Sequence, residues 1–249
     1  MDASGFSEIV GQPEHGRVFR QTVRPGLGDC APSGRVRLDA LARWLQDVAY
    51  FDVEDAGLAD AAVWVVRRSR MRVSRFPRFG ERHQLSTFCS GLGRMWAERR
   101  TSIVPEGSAE SDVEAVSLWV HLDPGSKRPT PFTEHEFQAY ADASGGRKVT
   151  ARLRHPQPDG AAASTPWLFR ATECDVADHI NNAAYLAPLE EELLRRGDLE
   201  SLDVEIEFRT PAQPGEKRIL HEEGRRWIVA QDGEVHASIA IGTAELLSA

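Results

Sequence analysis

The chain repeats itself over half its length, and that repeat limits the available folds more than any other feature. Val23-Arg-Pro-Gly-Leu-Gly-Asp29, then Gly34, then a helical pattern, answer to Phe169-Arg-Ala-Thr-Glu-Cys-Asp175, then His179, then a second helical pattern. Further on, Arg75-Phe-Pro-Arg-Phe-Gly-Glu81 resembles Phe208-Arg-Thr-Pro-Ala-Gln-Pro-Gly-Glu216, and Gly93-Arg-Met-Trp96 resembles Gly224-Arg-Arg-Trp227. Three parallels in the same order are better explained by duplication than by chance.

Each half also has the same coarse pattern. In the first, Leu38, Leu41, Ala42, Leu45, Val48 and Ala49 recur at spacings of three and four, which predicts a helix over 38–51. Segments near 63–75, 83–92, 95–104 and 113–122 alternate or are rich in Val, Trp, Phe and Thr, and read as strands. In the second half, 181–195 reads as a helix, with Pro188 inside it predicting a kink or a late start. Segments near 202–209, 217–222, 226–231 and 234–243 read as strands. A short helix is expected near 133–141. Residues 144–164, rich in Gly, Pro, Ser and Ala, are the expected linker between domains at 1–143 and 165–249. Each half is thus a strand, one long helix, then four sequential strands. One helix must bury its apolar stripe on one sheet, and the economical solution is an antiparallel sheet wrapped around a central helix. That is the hotdog arrangement, in the α+β class. Two tandem copies would join their sheets edge to edge, as two subunits do in a single-hotdog dimer.

The segment richest in chemistry is Glu173-Cys-Asp175-Val-Ala-Asp-His179-Ile-Asn181-Asn182-Ala-Ala-Tyr185. It resembles the Asp-x-x-x-His-(Val/Ile)-Asn-Asn-x-x-Tyr signature of hotdog thioesterases. With Gly34-Arg-Val-Arg-Leu-Asp-Ala40 and Leu45-Gln46-Asp47-Val-Ala49, the chain is similar to the acyl-acyl-carrier-protein thioesterases over roughly 17–244. The resemblance implies two tandem hotdogs and hydrolysis of a fatty acyl thioester without metal or redox cofactor. It implies Asp175 and His179 as catalytic residues. The plant branch of that family carries Asp-x-Asn-x-His, where Ala177 stands in the middle here. Its later Glu-Cys pair is also missing, because Phe208-Arg209-Thr210 runs into Pro211-Ala212.

Thioester hydrolysis needs an activated water or carboxylate nucleophile and donors for a developing oxyanion. Asp175 and His179 can handle protons. The start of the helix that follows can polarise a carbonyl, and Asn181 and Asn182 can orient water or carbonyl without titrating. The missing acid is expected from the first helix, where Gln46-Asp47 matches the family's Gln-Glu pair, with Asp47 facing His179. Glu190 and Glu191 take the corresponding place in the second helix and would face a first-half site on Asp29 and Gly34. That site has no His and is expected to be silent. Otherwise Glu190-Glu191-Glu192 reads as a solvated face, and Tyr185 as core that lines the substrate site. Arg68, Arg70 and Arg72 share one strand face. They form either a basic patch for a carrier or nucleotide phosphate, or a solvated face paired with acids.

Charge and cysteine content narrow the alternatives. A formal net charge of −8 disfavours nucleic acid and anionic lipid surfaces. Three cysteines, Cys30, Cys89 and Cys174, form neither a disulfide framework nor a zinc set. Cys89 and Cys174 read as buried and inert, and His83, His121 and His221 as surface or strand positions. No apolar run has transmembrane length and no basic-then-apolar leader is seen, so a cytoplasmic protein is expected, either a monomeric pseudo-dimer or a homodimer. The partner is an acyl-carrier-protein or coenzyme A thioester. The rival reading is a non-catalytic acyl binder.

Overall fold

The structure, a computed structural model, describes residues 6–159 and 163–246. The chain runs β1 (Phe19–Val23), α1 (Leu38–Asp55), β2 (Val63–Val73), β3 (His83–Leu92), β4 (Trp96–Pro105), β5 (Val113–Leu122) and α2 (Glu134–Ser144). It then runs β6 (Ala163–Phe169), α3 (Ala187–Arg196), β7 (Leu199–Phe208), β8 (Gly215–Glu222), β9 (Arg225–Val229) and β10 (Val235–Leu246). All ten strands form one antiparallel sheet in the order β1-β3-β4-β5-β2-β7-β10-β9-β8-β6. Read inward from either edge, both halves give the same sequence of elements, and they meet at β2 and β7. There Arg68 pairs with Glu207 and Val73 with Leu202. The duplication is therefore an edge-to-edge pair of hotdogs within one sheet.

Helix α1 forms because its apolar residues fall on one stripe. Leu38, Leu41, Trp44, Leu45, Val48 and Val53 are all buried, each large side chain contributing roughly 1.5–3 kcal/mol. All but Val53 share one core with Met71, Val73, Ile103, Val113 and Ala115 of the first half of the sheet, Leu202, Val204 and Ile206 of the second and Leu189 of α3, whereas Val53 packs in a second cluster with Leu58, Cys89 and Tyr140. The helix outlasts the predicted end by one turn, to Asp55, and Asp52 in that added turn is buried beneath Arg17 and Arg99. In the second half the helix does start late. A 3-10 turn at Asn182–Leu186 comes first, and α3 begins at Ala187 with Pro188 in its first turn, where its missing N–H costs nothing.

The turns before the two helices are copies at a constant offset of 144 residues. Cys30 bridges Val36 as Cys174 bridges Ile180. Ala31 N donates to Arg35 O, as Asp175 N does to His179 O. Gly34 and Asp178 both take positive φ, at 87° and 59°. This corrects the register read from sequence. Asp29 corresponds to Glu173, since each caps its own turn by accepting from Gly26 N and Arg170 N. Asp175 corresponds to Ala31, and His179 to Arg35.

The expected linker is no loose tether. Its described part is strapped across the outer face of the sheet. Val149 O accepts the indole N–H of Trp96, and Pro156 O that of Trp227, so the two tryptophans of the repeat hold the same strap. Arg152 O accepts from Arg68, and Arg154 N and His155 N donate to Glu207. Strand β6 already begins at Ala163, inside the expected linker. Residues 160–162, and the outer ends of the expected domains at 1–5 and 247–249, lie outside the described residues.

The arginine patch is a second correction. Arg68 and Arg70 are 6% and 2% exposed. Arg68 donates to Ser7 Oγ and lies 3.9 Å from Glu205 and from Glu207. Arg70 grips Asp203 through two bonds of 2.8 and 2.6 Å and stacks on Phe6. Cross-strand acids on β7 and the chain's own N-terminal segment cover this face, so only Arg72 of the three is exposed. None of the three lines the cavity described below. The strand histidines are also more deeply engaged than expected. His83 is fully buried against Asp112, and His121 against Glu136. Cys89 is buried, and burial pushes its thiol up to about 11, whereas Cys174 is half-buried. Among the described residues no helix is long and apolar enough to cross a membrane.

Candidate active site

A cavity of about 500 Å³ opens where the two hotdogs meet, within the usual range for small-molecule sites. Its mouth holds Asp175, His179, Asn181, Asn182 and Tyr185 from the second half and Gln46 and Asp47 from α1. It then runs beneath α1 across the sheet, past Ala49, Val53, Val66 and Ala97, to Cys89 and Tyr140. The cavity thus brings together every expected site residue except Arg68, Arg70 and Arg72.

The turn at 175–181 fixes the polar end. Asp175 Oδ1 accepts from Ala177 N at 2.9 Å, and Oδ2 accepts from Asn181 Nδ2 at 3.3 Å. Backbone thereby supplies the donor at the position where the plant branch has an Asn side chain. His179 Nδ1 lies 3.8 Å from Asp175 Oδ1 and 3.4 Å from Ile180 O. Both side chains are about a quarter exposed, at 26% and 24%. The Asn181 amide is engaged at both ends, since its Oδ1 accepts from Ala183 N at 2.8 Å. It caps the 3-10 turn and steadies Asp175. The side chains of Gln46 and Asn182 line the cavity and make no hydrogen bond to any described residue.

Asp47 is not bonded directly to His179. It shares the cavity but is exposed and makes no hydrogen bond or ion pair with the imidazole. Burial raises its carboxyl above the ordinary value, Arg43 pulls it down, and Asp29 pushes it up. Nothing in that set comes from the His179 turn. The expected helix N-terminus is also displaced, because α3 starts six residues after Asn181.

Tyr185 is core, as its spacing indicated. It is 1% exposed, and its hydroxyl accepts from Ala212 N at 2.8 Å, beneath Asp175. Burial pushes the phenol up to about 12. Replacement Tyr185→Phe is expected to cost about 1–3 kcal/mol, because it strands a buried N–H. A urea midpoint equal to that of the parent protein would contradict this.

The first-half copy of the site reveals what sequence reasoning missed. Arg35, the counterpart of His179, is fully buried, and its guanidinium pairs with Glu190 at 2.9 Å and Asp198 at 2.6 Å. Glu190 Oε2 also accepts from Leu38 N at 3.1 Å. So Glu190 does face the first-half turn, but it is 3% exposed and not part of a solvated face. Of its neighbours, Glu191 is exposed, while Glu192 is bound by Arg226. The offset makes Gln46 the counterpart of Glu190 and Asn182 that of Leu38. Arg67 was also missed. It is the unpaired residue of a β-bulge between Val66 and Arg68, and its Nη1 donates to Phe208 O and Arg209 O on the cavity wall. A bulge leaves no mark in an alternating pattern.

Sequence comparison matches residues 16–140 to the acyl-ACP thioesterase N-terminal domain. An uncharacterised protein of Mycobacterium tuberculosis (strain H37Rv) is 25% identical over 219 residues, which is 86% of each chain. The chloroplastic palmitoyl-acyl carrier protein thioesterase of Arabidopsis thaliana is 24% identical over 230 residues, covering 82% of this chain and 54% of that one. The chain therefore spans about half the length of this plant relative. Among solved structures, an acyl-ACP thioesterase from Bacteroides thetaiotaomicron superposes with a TM-score of 0.75 at 14% identity, covering 90% and 96% of the two chains. The 12:0-ACP thioesterase from Umbellularia californica gives 0.73 at 17% identity, covering 93% and 99%. At such identities the structural likeness speaks for the fold.

Proposed function

The chain belongs to the acyl-ACP thioesterase family and is a thioester hydrolase, and from that premise we propose that it releases free fatty acid from acyl chains carried on acyl carrier protein. The observation that carries this reading is a cavity with Asp175 and His179 at one end and an apolar run beneath α1. A thioester carbonyl at the mouth puts its alkyl chain into that run. We assign the unit expected at 1–143 to acyl binding, the described residues 145–159 to the strap, and the second unit, which begins at β6 (Ala163–Phe169) and not at 165, to the hotdog that bears the catalytic turn.

In this reading an Nδ1–H held by Ile180 O and Asp175 leaves His179 Nε2 as the accepting nitrogen. Nε2 takes a proton from water as its oxygen attacks the carbonyl carbon. The imidazolium gives that proton to the sulfur as the C–S bond breaks. Asp175 steadies the imidazolium, and Asn181 positions Asp175. For the oxyanion, the first-half copy supplies the argument. There a carboxylate oxygen of Glu190 is held by Leu38 N–H. The corresponding N–H is that of Asn182, which we assign as an oxyanion donor, with the Asn182 and Gln46 amides binding substrate beside it. Asp47 has no partner that supports a catalytic role.

The carrier is tested by parallel assays on one acyl chain delivered by acyl carrier protein and by coenzyme A. A kcat/KM at least about tenfold higher on the protein carrier is expected. Equal values, or a preference for the nucleotide carrier, would make this an acyl-CoA thioesterase. Binding without turnover on both would make it an acyl-thioester binder.

A further inference from the structure

The cavity does not stay apolar to its far end. Arg99, on β4, is a cavity-wall residue whose side chain is only 9% exposed. Its Nη1 is spent on Asp52 Oδ2 at 2.5 Å and Thr87 Oγ1 at 3.4 Å. Its Nε and Nη2 donate to no described residue, and neither atom is fully buried. The guanidinium carbon lies 5.7 Å from the centroid of the Tyr140 ring on α2, which closes this end. Asp52 is shared with Arg17, and Arg17 also binds Asp55, so the charges of the group are already matched. The unsatisfied part of Arg99 is therefore its hydrogen-bonding edge. In sheet order β4 lies three strands from β7, or about 14 Å at the ordinary strand spacing. An extended chain whose carbonyl sits at His179 thus brings its distal part to Arg99.

We propose that this end of the cavity is an oxygen-binding subsite, in which Arg99 donates to a hydroxyl or carbonyl oxygen on the distal acyl chain, so that the enzyme's substrate class is oxygenated fatty acyl thioesters. The inference rests on the acyl-thioesterase reading and adds the identity of the chain. A plain alkyl end pressed on this edge strips water from charged N–H groups and returns nothing. An oxygen at the same depth restores the bond, and sites built to hydrogen-bond a substrate reject the analogue that lacks the group. A neutral oxygen fits better than a carboxylate, which would meet Asp52.

The experiment measures binding of product acids to the intact protein by calorimetry, comparing ω-hydroxy with unsubstituted saturated fatty acids of matched length across a series. At the best length the hydroxy acid is expected to bind about tenfold more tightly. Arg99→Lys keeps a cation beside Asp52 but loses the planar fork, and is expected to erase most of that difference. Arg99→Gln provides a second reading where the lysine form does not fold. Hydroxy acids that bind no better than plain acids at every length overturn the inference, with no variant needed. A difference that survives both substitutions also overturns it. Hydrolysis of the same chains as thioesters is followed separately. Its failure would count against the hydrolase mechanism, and the binding comparison would still decide the subsite.

Discussion

His179→Ala is expected to lower kcat by about a thousandfold, the middle of the range for removing a general acid–base group, while KM changes little. The imidazole has no structural work that would confuse the result. It is 26% exposed, and its two contacts, at 3.4 and 3.8 Å, are long, so the melting temperature should stay close to that of the parent protein. Asp175→Asn should cost less, about ten- to a hundredfold. Ala177 N–H still has an oxygen to donate to, but the negative charge beside the imidazolium is gone. Asp47→Asn should stay within about threefold, since no contact joins it to His179. A steady-state series on one acyl thioester checks all three. Retention of more than a tenth of the activity by the His179 variant would remove this turn from the mechanism. A loss in Asp47→Asn as large as that in Asp175→Asn would restore the helix acid as the base.

Much of this was legible in the chain because duplication writes the same physical constraints twice. Apolar spacing at 38–51 and the strand patterns located the central helix and eight of the ten strands to within a few residues, since burial on one face imposes that periodicity. The motif at 175–185 located the mouth of the cavity. The failures share a cause. Arg68 and Arg70 were read as a patch because a strand pattern says which residues share a face but not what covers it. The cover comes from Glu205 and Glu207 across the seam and from a segment more than sixty positions earlier. The two-residue error in aligning the turns arose from matching Asp29 to Asp175 by identity. Only the hydrogen bonds show that Glu173 does the work of Asp29. Asp47 was favoured over Gln46 because a carboxylate suggests chemistry. In the proposed reading the counterpart pair favours Gln46, since buried Glu190 answers to Gln46 and exposed Glu191 to Asp47.

Arg35→Ala should destabilise the protein by about 3–5 kcal/mol, the cost of leaving a buried charge without its partner. Arg35 is fully buried and Glu190 is 3% exposed. Removing the guanidinium strips Glu190 of its cation, frees Asp198 and takes the stacking surface from Phe76. Glu190→Gln should cost only about 1–2 kcal/mol, because an amide oxygen can still accept from Leu38 N–H. Guanidinium melts of the two variants, with activity expressed per folded molecule, test the assignment. At offset-related positions, Arg35 should act on stability and His179 on turnover, with little exchange between the two effects. The reason proposed is that duplication left two turns with the same backbone hydrogen bonds, each followed by an N–H at the start of a helical turn that an anionic oxygen can approach. In one copy the protein's own Glu190 fills that place permanently and needs a cation beside it. In the other, the place faces the cavity and a neutral amide, Gln46, so only a substrate can fill it. An Arg35→Ala protein as stable as the parent, or one that is folded but as inactive as His179→Ala, would show that the two turns have not divided these tasks.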